Sequence, residues 1–426
     1  MRKQFLFIAI IIGMILLITC NDKKAPEPKS AVLISKHARP LRDVHFASSP
    51  ERITRGEYLA RGILRCFHCH SPRDTSLPGQ PWIESKKGSG SIYFKFDTIW
   101  MVAPNITPDK ETGAGNWTDD MFVRAIREGV GHDGRALEFM PFWNFANLSN
   151  EDLASVIVYV RSIPAIKNKL PQRHISQKFE AELQEEARDS VGFIAQPDFS
   201  SVLARGRYYI QVGECEGCHT GWYARNPGFF AGGNVIKYTK TDSVCSANLT
   251  PDISGVGGWT DAVFAEIMRT GKSGSLKWVM PWVAFRNVND SDLSAILAAL
   301  KTLPPVKHQI QNALPPTFCE VCGRHHGYGQ YNRIEPIKGI AINSAGFASD
   351  TGAFVSKYGD TTKIRLKNKK LWIDTNHGQA ELVAVTDSTF RASGFPATIL
   401  FIKKDKGPVD SLYLLDIDPV VAKRVH

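Results

Sequence analysis

Cys66-Phe67-His68-Cys69-His70 and Cys215-Glu216-Gly217-Cys218-His219 decide how the rest of this chain is read. Both are C-x-x-C-H. In that spacing two thiols reach the two vinyl groups of one haem as thioethers, and the next residue brings an imidazole to the iron. Chance would supply roughly 0.004 copies in a chain of this composition, so two are no accident. A redox-active C-x-x-C or a zinc site would leave the following histidine unexplained in both copies. The motifs therefore imply two covalently bound haem c groups. Covalent retention suits an exported protein, which cannot easily recapture a lost cofactor.

The sequence around each motif repeats. Arg55-Gly56-Glu57-Tyr58 returns as Arg205-Gly206-Arg207-Tyr208, and Asn105-Ile106-Thr107-Pro108-Asp109 as Asn248-Leu249-Thr250-Pro251-Asp252. Trp117-Thr118-Asp119 returns as Trp259-Thr260-Asp261, Met140-Pro141 as Met280-Pro281, and Pro164 as Pro304, all in the same order. Two copies of one domain follow, over 53–166 and 202–306, separated by a 167–201 linker. In each, Thr118 or Thr260 caps a helix that stops at Gly129 or Gly271. Ser149 opens another, in which Leu153, Val156, Ile157 and Val160 recur at helical spacing up to Pro164.

A six-coordinate iron needs a second axial ligand. Met140 and Met280 occupy equivalent loop positions, each before a proline that biases the preceding backbone toward an extended form. A thioether favours ferrous iron and raises the reduction potential. Met121 and Met268 fall on helices and read as core. His132 is a competitor in the first copy, but the second has no histidine between His219 and Met280.

These motifs resemble class I cytochrome c domains. They are most similar to the multihaem cytochrome c subunits of membrane-bound alcohol, sorbitol and gluconate dehydrogenases, over residues 53–306. The resemblance implies that Cys66, Cys69, His70 and Met140 hold one haem, and that Cys215, Cys218, His219 and Met280 hold the other. It offers Asn105 and Asn248, with Trp117 and Trp259, as hydrogen-bonding groups near the propionates. Asn-x-Thr-Pro is equally plain turn chemistry. Those subunits usually carry three haems, whereas the third pair here is Cys319-Glu320-Val321-Cys322-Gly323, with glycine in place of the histidine. No third haem is expected. A Cys319/Cys322 disulfide, or a zinc site using His325 or His326, are the options. Cys245 is left over, as a buried free thiol or, less favoured, a thiolate haem ligand.

The N-terminus is read as a targeting segment, not as structure. Arg2 and Lys3 precede 14 apolar residues, Phe5 to Ile18, a run short of the ~20 needed to span a bilayer. Leu17-Ile18-Thr19-Cys20 resembles the lipobox of bacterial lipoproteins, with Cys20 lipidated, although Thr19 is larger than the usual small residue. An uncleaved anchor is the rival. Either way residues 1–20 direct export, and 21–52 form a linker.

Residues 307–339 read as a proline-rich linker containing the C-x-x-C. Beyond them, over 340–426, Ile364 and Leu366, Leu371 and Ile373, and Ile399 and Phe401 alternate with polar residues, with Lys406-Gly407-Pro408 among the turns. An antiparallel meander is predicted. His377 and His426 read as isolated surface residues. The fold class expected is therefore mainly α: two tandem cytochrome c domains followed by a small antiparallel β-domain.

With 426 residues, 43% of them hydrophobic and 22% charged, the chain can bury several cores and is not disordered. Its formal charge of +10 suits an anionic membrane surface or an acidic partner, and export argues against nucleic acid. The function expected is non-catalytic: an electron-carrying, membrane-anchored periplasmic lipoprotein. It would accept electrons from a dehydrogenase or quinol-linked complex and pass them to another cytochrome or an oxidase. The alternative is a dihaem enzyme acting on peroxide or a sulfur compound, which requires an open distal position or the Cys245 thiolate.

Overall fold

A computed structural model of the chain describes residues 33–425 apart from 97, 223–226, 238–241, 272–278, 335–336, 357–360, 376–377, 394–397, 405–406 and 415–419. The targeting segment 1–20 with Cys20, and Lys406, His377 and His426, lie outside the described residues. The chain divides into two compact units. One holds residues up to Cys215 together with Trp259–Ala299, and the other holds Glu216–Gly258 and Leu300–His426.

In the first unit, helix Pro50–Arg61 starts where the Ser49 hydroxyl accepts from the Arg52 N–H and Pro50 supplies a preset φ. It lays Gly56, Leu59 and Ala60 on helix Asn150–Ser162, which Ser149 caps in the same way. Gly56 permits the crossing, because a Cβ there would lie 2.0 Å from the Ser155 carbonyl oxygen. The second repeat builds the same crossing from helices Val202–Val212 and Asp290–Leu300, with Gly206 against Ala295 at 1.9 Å. Thr118 caps Asp119–Val123, which continues as a π-turn to left-handed Gly129. Thr260 caps Asp261–Thr270, which ends at left-handed Gly271.

The segment between the repeats is structured too. Helix Gln177–Glu186 buries Phe179 and Leu183 against Met101, Val130 and Ala136. It packs beside a hairpin of β1 (Ser91–Phe96) and β2 (Ile99–Ala103). Trp100 stacks on His174 with ring centroids 4.6 Å apart.

The second unit carries two short hairpins, β3 (Val235–Lys237) with β4 (Ser243–Cys245) and β5 (Thr317–Phe318) with β6 (His325–His326). A closed barrel follows: β7 (Gly352–Ser356), β8 (Thr361–Lys367), β9 (Lys370–Thr375), β10 (Gly378–Ala384), β11 (Thr389–Ala392), β12 (Thr398–Lys403), β13 (Val409–Leu414) and β14 (Val420–Arg424). Each strand pairs antiparallel with the next, and Ala422 opposite Ser356 closes β14 onto β7. Period-two burial fills the interior with Phe354, Ile364, Leu371, Ile373, Phe390, Ile399, Phe401 and Leu412. Leu366, at the end of its alternating run, is exposed instead. The 3-10 turn Ser344–Asp350 places Phe347 against Phe390 and Phe401. The buried Asp350 carboxylate accepts from Lys403 Nζ at 2.7 Å and from the Val409 N–H at 2.9 Å.

The expectation of a mainly α chain is therefore corrected: only 30% of the described residues are helical, and an eight-stranded antiparallel barrel is present. Two physical causes combine. The cytochrome-like repeats invest much of their length in loops between short helices, and closure of the C-terminal strands removes both sheet edges. Among the described residues no helix is long and apolar enough to cross a membrane.

Candidate functional site

Each C-x-x-C-H is preceded by a residue held in the left-handed region, Arg65 at φ 55° and Glu214 at φ 59°. That bend starts a short helical turn, Cys66–Cys69 in one copy and Cys215–His219 in the other. His70 N–H donates to the Cys66 carbonyl at 3.0 Å, so two thiols and the imidazole share one turn. Cys66, Cys69 and Cys215 are half-buried and Cys218 is exposed. Burial pushes the Cys66 thiol up to about 12 and the Cys215 thiol up to about 11.

The two histidines are oriented identically. His70 Nδ1 donates to the Pro104 carbonyl at 2.8 Å, and His219 Nδ1 to the Ala247 carbonyl at 2.7 Å. With Nδ1 carrying the proton, Nε2 keeps the lone pair a metal requires. Burial lowers both imidazole pKa values, against the smaller opposing effect of those carbonyls, and this favours the neutral, ligating form. The residues present therefore fit covalently attached haem.

The accepting carbonyls belong to the residues immediately before Asn105 and Asn248. The Asn105 side chain donates to the Ile166 carbonyl at 2.7 Å and accepts from the Thr107 N–H. Asn248 does the same with Val306 and Thr250. These asparagines staple the loop that holds the histidine to the segment after the last helix. Trp117 stacks on His132 with centroids 4.5 Å apart and 16° between planes, and Trp259 packs near Phe264.

Met140 and Met280 lie half-buried on equivalent turns. The Met140 carbonyl accepts from the Phe142 N–H at 2.7 Å around Pro141 (φ −77°, ψ 49°). The Met280 carbonyl accepts from Trp282 at 2.8 Å around Pro281 (φ −77°, ψ 60°). Both are inverse γ-turns, so the local backbone at the two methionines is nearly the same. Met268 is buried on its helix and Met121 half-buried on the equivalent one.

What the sequence did not reveal is how the repeats meet inside the first unit. Arg55 clamps the buried Asp152 carboxylate through Nε and Nη2, both at 2.8 Å. The Tyr208 hydroxyl of the other repeat donates to the same carboxylate at 2.7 Å. The equivalent set is Arg205 paired with Asp292 at 3.3 Å and the Tyr58 hydroxyl donating to Asp292 at 2.5 Å. Each repeat thus lends its tyrosine to the aspartate of the other. Equivalent residues also pair directly, Arg65 Nη2 with Glu214 Oε2 at 2.6 Å. Since those residues precede Cys66 and Cys215, the first attachment cysteines of the two motifs lie beside one ion pair. The repeated Arg-Gly-x-Tyr was the available signal.

Cys245 is buried, and burial with Cys319 nearby pushes its thiol up to about 12, which keeps it neutral. The Cys245 backbone exchanges hydrogen bonds with the Asn312 side chain, its N–H donating to Oδ1 at 2.8 Å and its carbonyl accepting from Nδ2 at 2.9 Å.

Comparison with known proteins finds this chain similar to cytochrome c subunits. The chain is 30% identical over 286 residues to the cytochrome c subunit of the quinone alcohol dehydrogenase of Gluconobacter oxydans (strain 621H), covering 60% of this chain and 55% of that subunit. It is 28% identical over 368 residues to the fructose dehydrogenase cytochrome subunit of Gluconobacter japonicus, covering 78% and 72%. A diheme cytochrome c-type protein of Cereibacter sphaeroides is 23% identical over 290 residues, covering 62% and 89%. The chain thus spans about half the length of the alcohol dehydrogenase subunit it matches. No family model matches it. These relatives at about 30% identity are cytochrome subunits of alcohol and fructose dehydrogenases.

Proposed function

We propose that the chain is a dihaem electron carrier that relays electrons from a dehydrogenase toward a further acceptor, in the exported, lipid-anchored setting its N-terminus suggests. Cys66, Cys69 and His70 hold one group, with Met140 as the second axial donor. Cys215, Cys218 and His219 hold the other, with Met280 assigned by repeat equivalence. Haem iron supplies one-electron chemistry, and the protein fixes where that chemistry occurs. The Pro104 and Ala247 carbonyls hold the two imidazoles in the ligating tautomer. A dehydrogenase partner is supported by the names of the relatives, which are subunits of alcohol and fructose dehydrogenases.

One observation carries the relay. The Arg65–Glu214 ion pair joins the residues that immediately precede Cys66 and Cys215, and electron exchange falls steeply with distance, so attachment turns tied together in this way suit transfer between the two groups. The test uses the full chain exported by a host competent in cytochrome c maturation. Its mass should exceed that of the acylated peptide by two haems, both should be low-spin, and both should titrate by one electron. Removing either cysteine pair should remove one haem. Bare-peptide mass overturns the reading, as does a high-spin ferric haem that turns over peroxide.

A further inference from the structure

The hairpin of β5 and β6 carries Cys319 and Cys322 at its tip and His326 on its second strand. Strand pairing puts Thr317 opposite His326 and Phe318 opposite His325, so the two sulfurs and His326 converge on the side where His308 lies. The ligand atoms of His308, Cys319, Cys322 and His326 all fall within 4.8 Å of one another. His308 Nε2 is 3.6 Å from Cys319 Sγ. Neighbouring ligands on a tetrahedral zinc lie about 3.3–3.8 Å apart, given bonds of about 2.0 Å to nitrogen and 2.3 Å to sulfur. All four residues are buried, with Cys319 and His308 at 0% exposure and Cys322 and His326 at 2%.

The surroundings are those of metal ligands. His308 Nδ1 donates to the Ala231 carbonyl at 2.7 Å and His326 Nδ1 to the Gly327 carbonyl at 3.0 Å, leaving both Nε2 atoms as lone-pair donors. His326 Nε2 is buried with no hydrogen-bond partner among the described residues. Such an atom costs free energy unless something occupies its lone pair. The Cys322 N–H points at Cys319 Sγ at 3.4 Å, and Gly323, at φ 68°, turns the chain out of the loop. Both cysteines are free thiols.

The internal repeat singles out His308. In the first copy the Asn168 N–H donates to Thr112 Oγ1 at 2.9 Å and its side-chain amide donates to the Ser89 carbonyl at 2.8 Å. His308 reproduces both contacts, from its N–H to Ser254 Oγ at 2.9 Å and from Nδ1 to Ala231. An asparagine would suffice for that structural duty. Histidine adds a second nitrogen, and that nitrogen faces Cys319.

We propose that His308, Cys319, Cys322 and His326 form a closed Cys₂His₂ structural zinc site. Four protein ligands leave no position for substrate, so the ion acts as a staple. It fastens the 307–332 segment to the loop of Ala231 and Gly232, whose N–H donates to the His219 carbonyl at 2.7 Å. The site therefore supports the loop carrying the second proximal histidine.

The test is metal analysis of the full chain, exported and purified without added metal or chelator, with protein quantified by amino-acid analysis. About one zinc per chain is expected, and X-ray absorption at the zinc edge should show two sulfur and two nitrogen ligands. This holds whatever the haem content, so its failure is distinct from failure of the haem assignment. Cys319→Ser/Cys322→Ser should abolish zinc. His308→Asn, the residue the other repeat uses, keeps the hydrogen bond to Ala231 but loses the ligand, and should weaken retention against a chelator by at least ~10-fold. A zinc-free wild-type chain overturns the proposal, as does a Cys319–Cys322 disulfide in unreduced peptide maps. So does His308→Asn that holds zinc as tightly as the wild type.

Discussion

Arg65 and Glu214 occupy the same position in the two repeats, share the same left-handed backbone, and form an ion pair with each other at 2.6 Å. A contact between equivalent residues is what a two-fold axis produces, and here it arises within one chain. The pair is partly exposed, at 17% and 34%, so its net worth is modest. A double-mutant cycle of Arg65→Ala and Glu214→Ala should give a coupling of about 0.5–1 kcal/mol in denaturant unfolding. The charge-swapped double variant should recover part of it. Zero coupling would mean that the pair does not help to hold the two attachment turns together.

The glycines at the helix crossings should tolerate no side chain. A Cβ on Gly56 would meet the Ser155 oxygen at 2.0 Å and Tyr159 Cβ at 2.6 Å, and one on Gly206 would meet the Ala295 oxygen at 1.9 Å. Backbone cannot swing aside as a flexible side chain can. Gly56→Ala and Gly206→Ala should each destabilise by about 1–3 kcal/mol or more, despite the better helix propensity of alanine. Gly192, with nothing within 4 Å, is the control at which alanine should be nearly neutral in the same chemical denaturation.

The local geometry of the candidate site was legible because each Cys-x-x-Cys-His is one contiguous turn. The spacing of Cys66, Cys69 and His70 fits one short turn, and Ser149, Thr118 and Thr260 cap the helices their positions announced. The alternation of Ile364, Leu371, Ile373, Ile399 and Phe401 likewise declared strands. Closure into a barrel was not legible, since Ala422 opposite Ser356 is a long-range pairing with no local signature. Nor was helix Gln177–Glu186, whose apolar content is little more than Phe179 and Leu183 and whose partners lie far away in sequence. His308 was invisible as a site residue, eleven positions before Cys319, because only the fold brings it to the hairpin tip.

Acid should loosen the contact of Glu84 with the helix that leads into the first motif. Burial alone would raise its pKa, but hydrogen bonds from Arg61, Trp82 and Lys87 outweigh it and hold the carboxyl at about 2, down from 4.5. A depressed folded-state pKa means that the unfolded chain takes up protons first as pH falls. The contribution is therefore complete above about pH 4.5 and is lost between there and about 2. Exposure of Glu84 keeps the effect small. The thermal midpoint of Glu84→Gln, followed by far-ultraviolet circular dichroism, should lie below the wild type at pH 6 and converge with it toward pH 3. A constant gap would assign the loss to packing.

Asp152 and Asp292 should prove far more sensitive than any surface charge. Asp152 is fully buried, and its oxygens are occupied by the Arg55 fork and the Tyr208 hydroxyl. Removing it strands a largely desolvated guanidinium, a change that costs about 3–5 kcal/mol. Tyr208→Phe removes the hydrogen bond to a charged acceptor and also the acceptor of the Ser149 N–H, and should cost about 1.5–3 kcal/mol or more. Tyr58→Phe should match it, because Tyr58 makes the reciprocal bond to Asp292. The two phenylalanine variants act on different carboxylates, so their combined cost in urea unfolding should be additive. If only one mattered, the two halves of this internal interface would be unequal in energy, and the aspartate opposite the dispensable tyrosine would be held by the arginine of its own repeat alone.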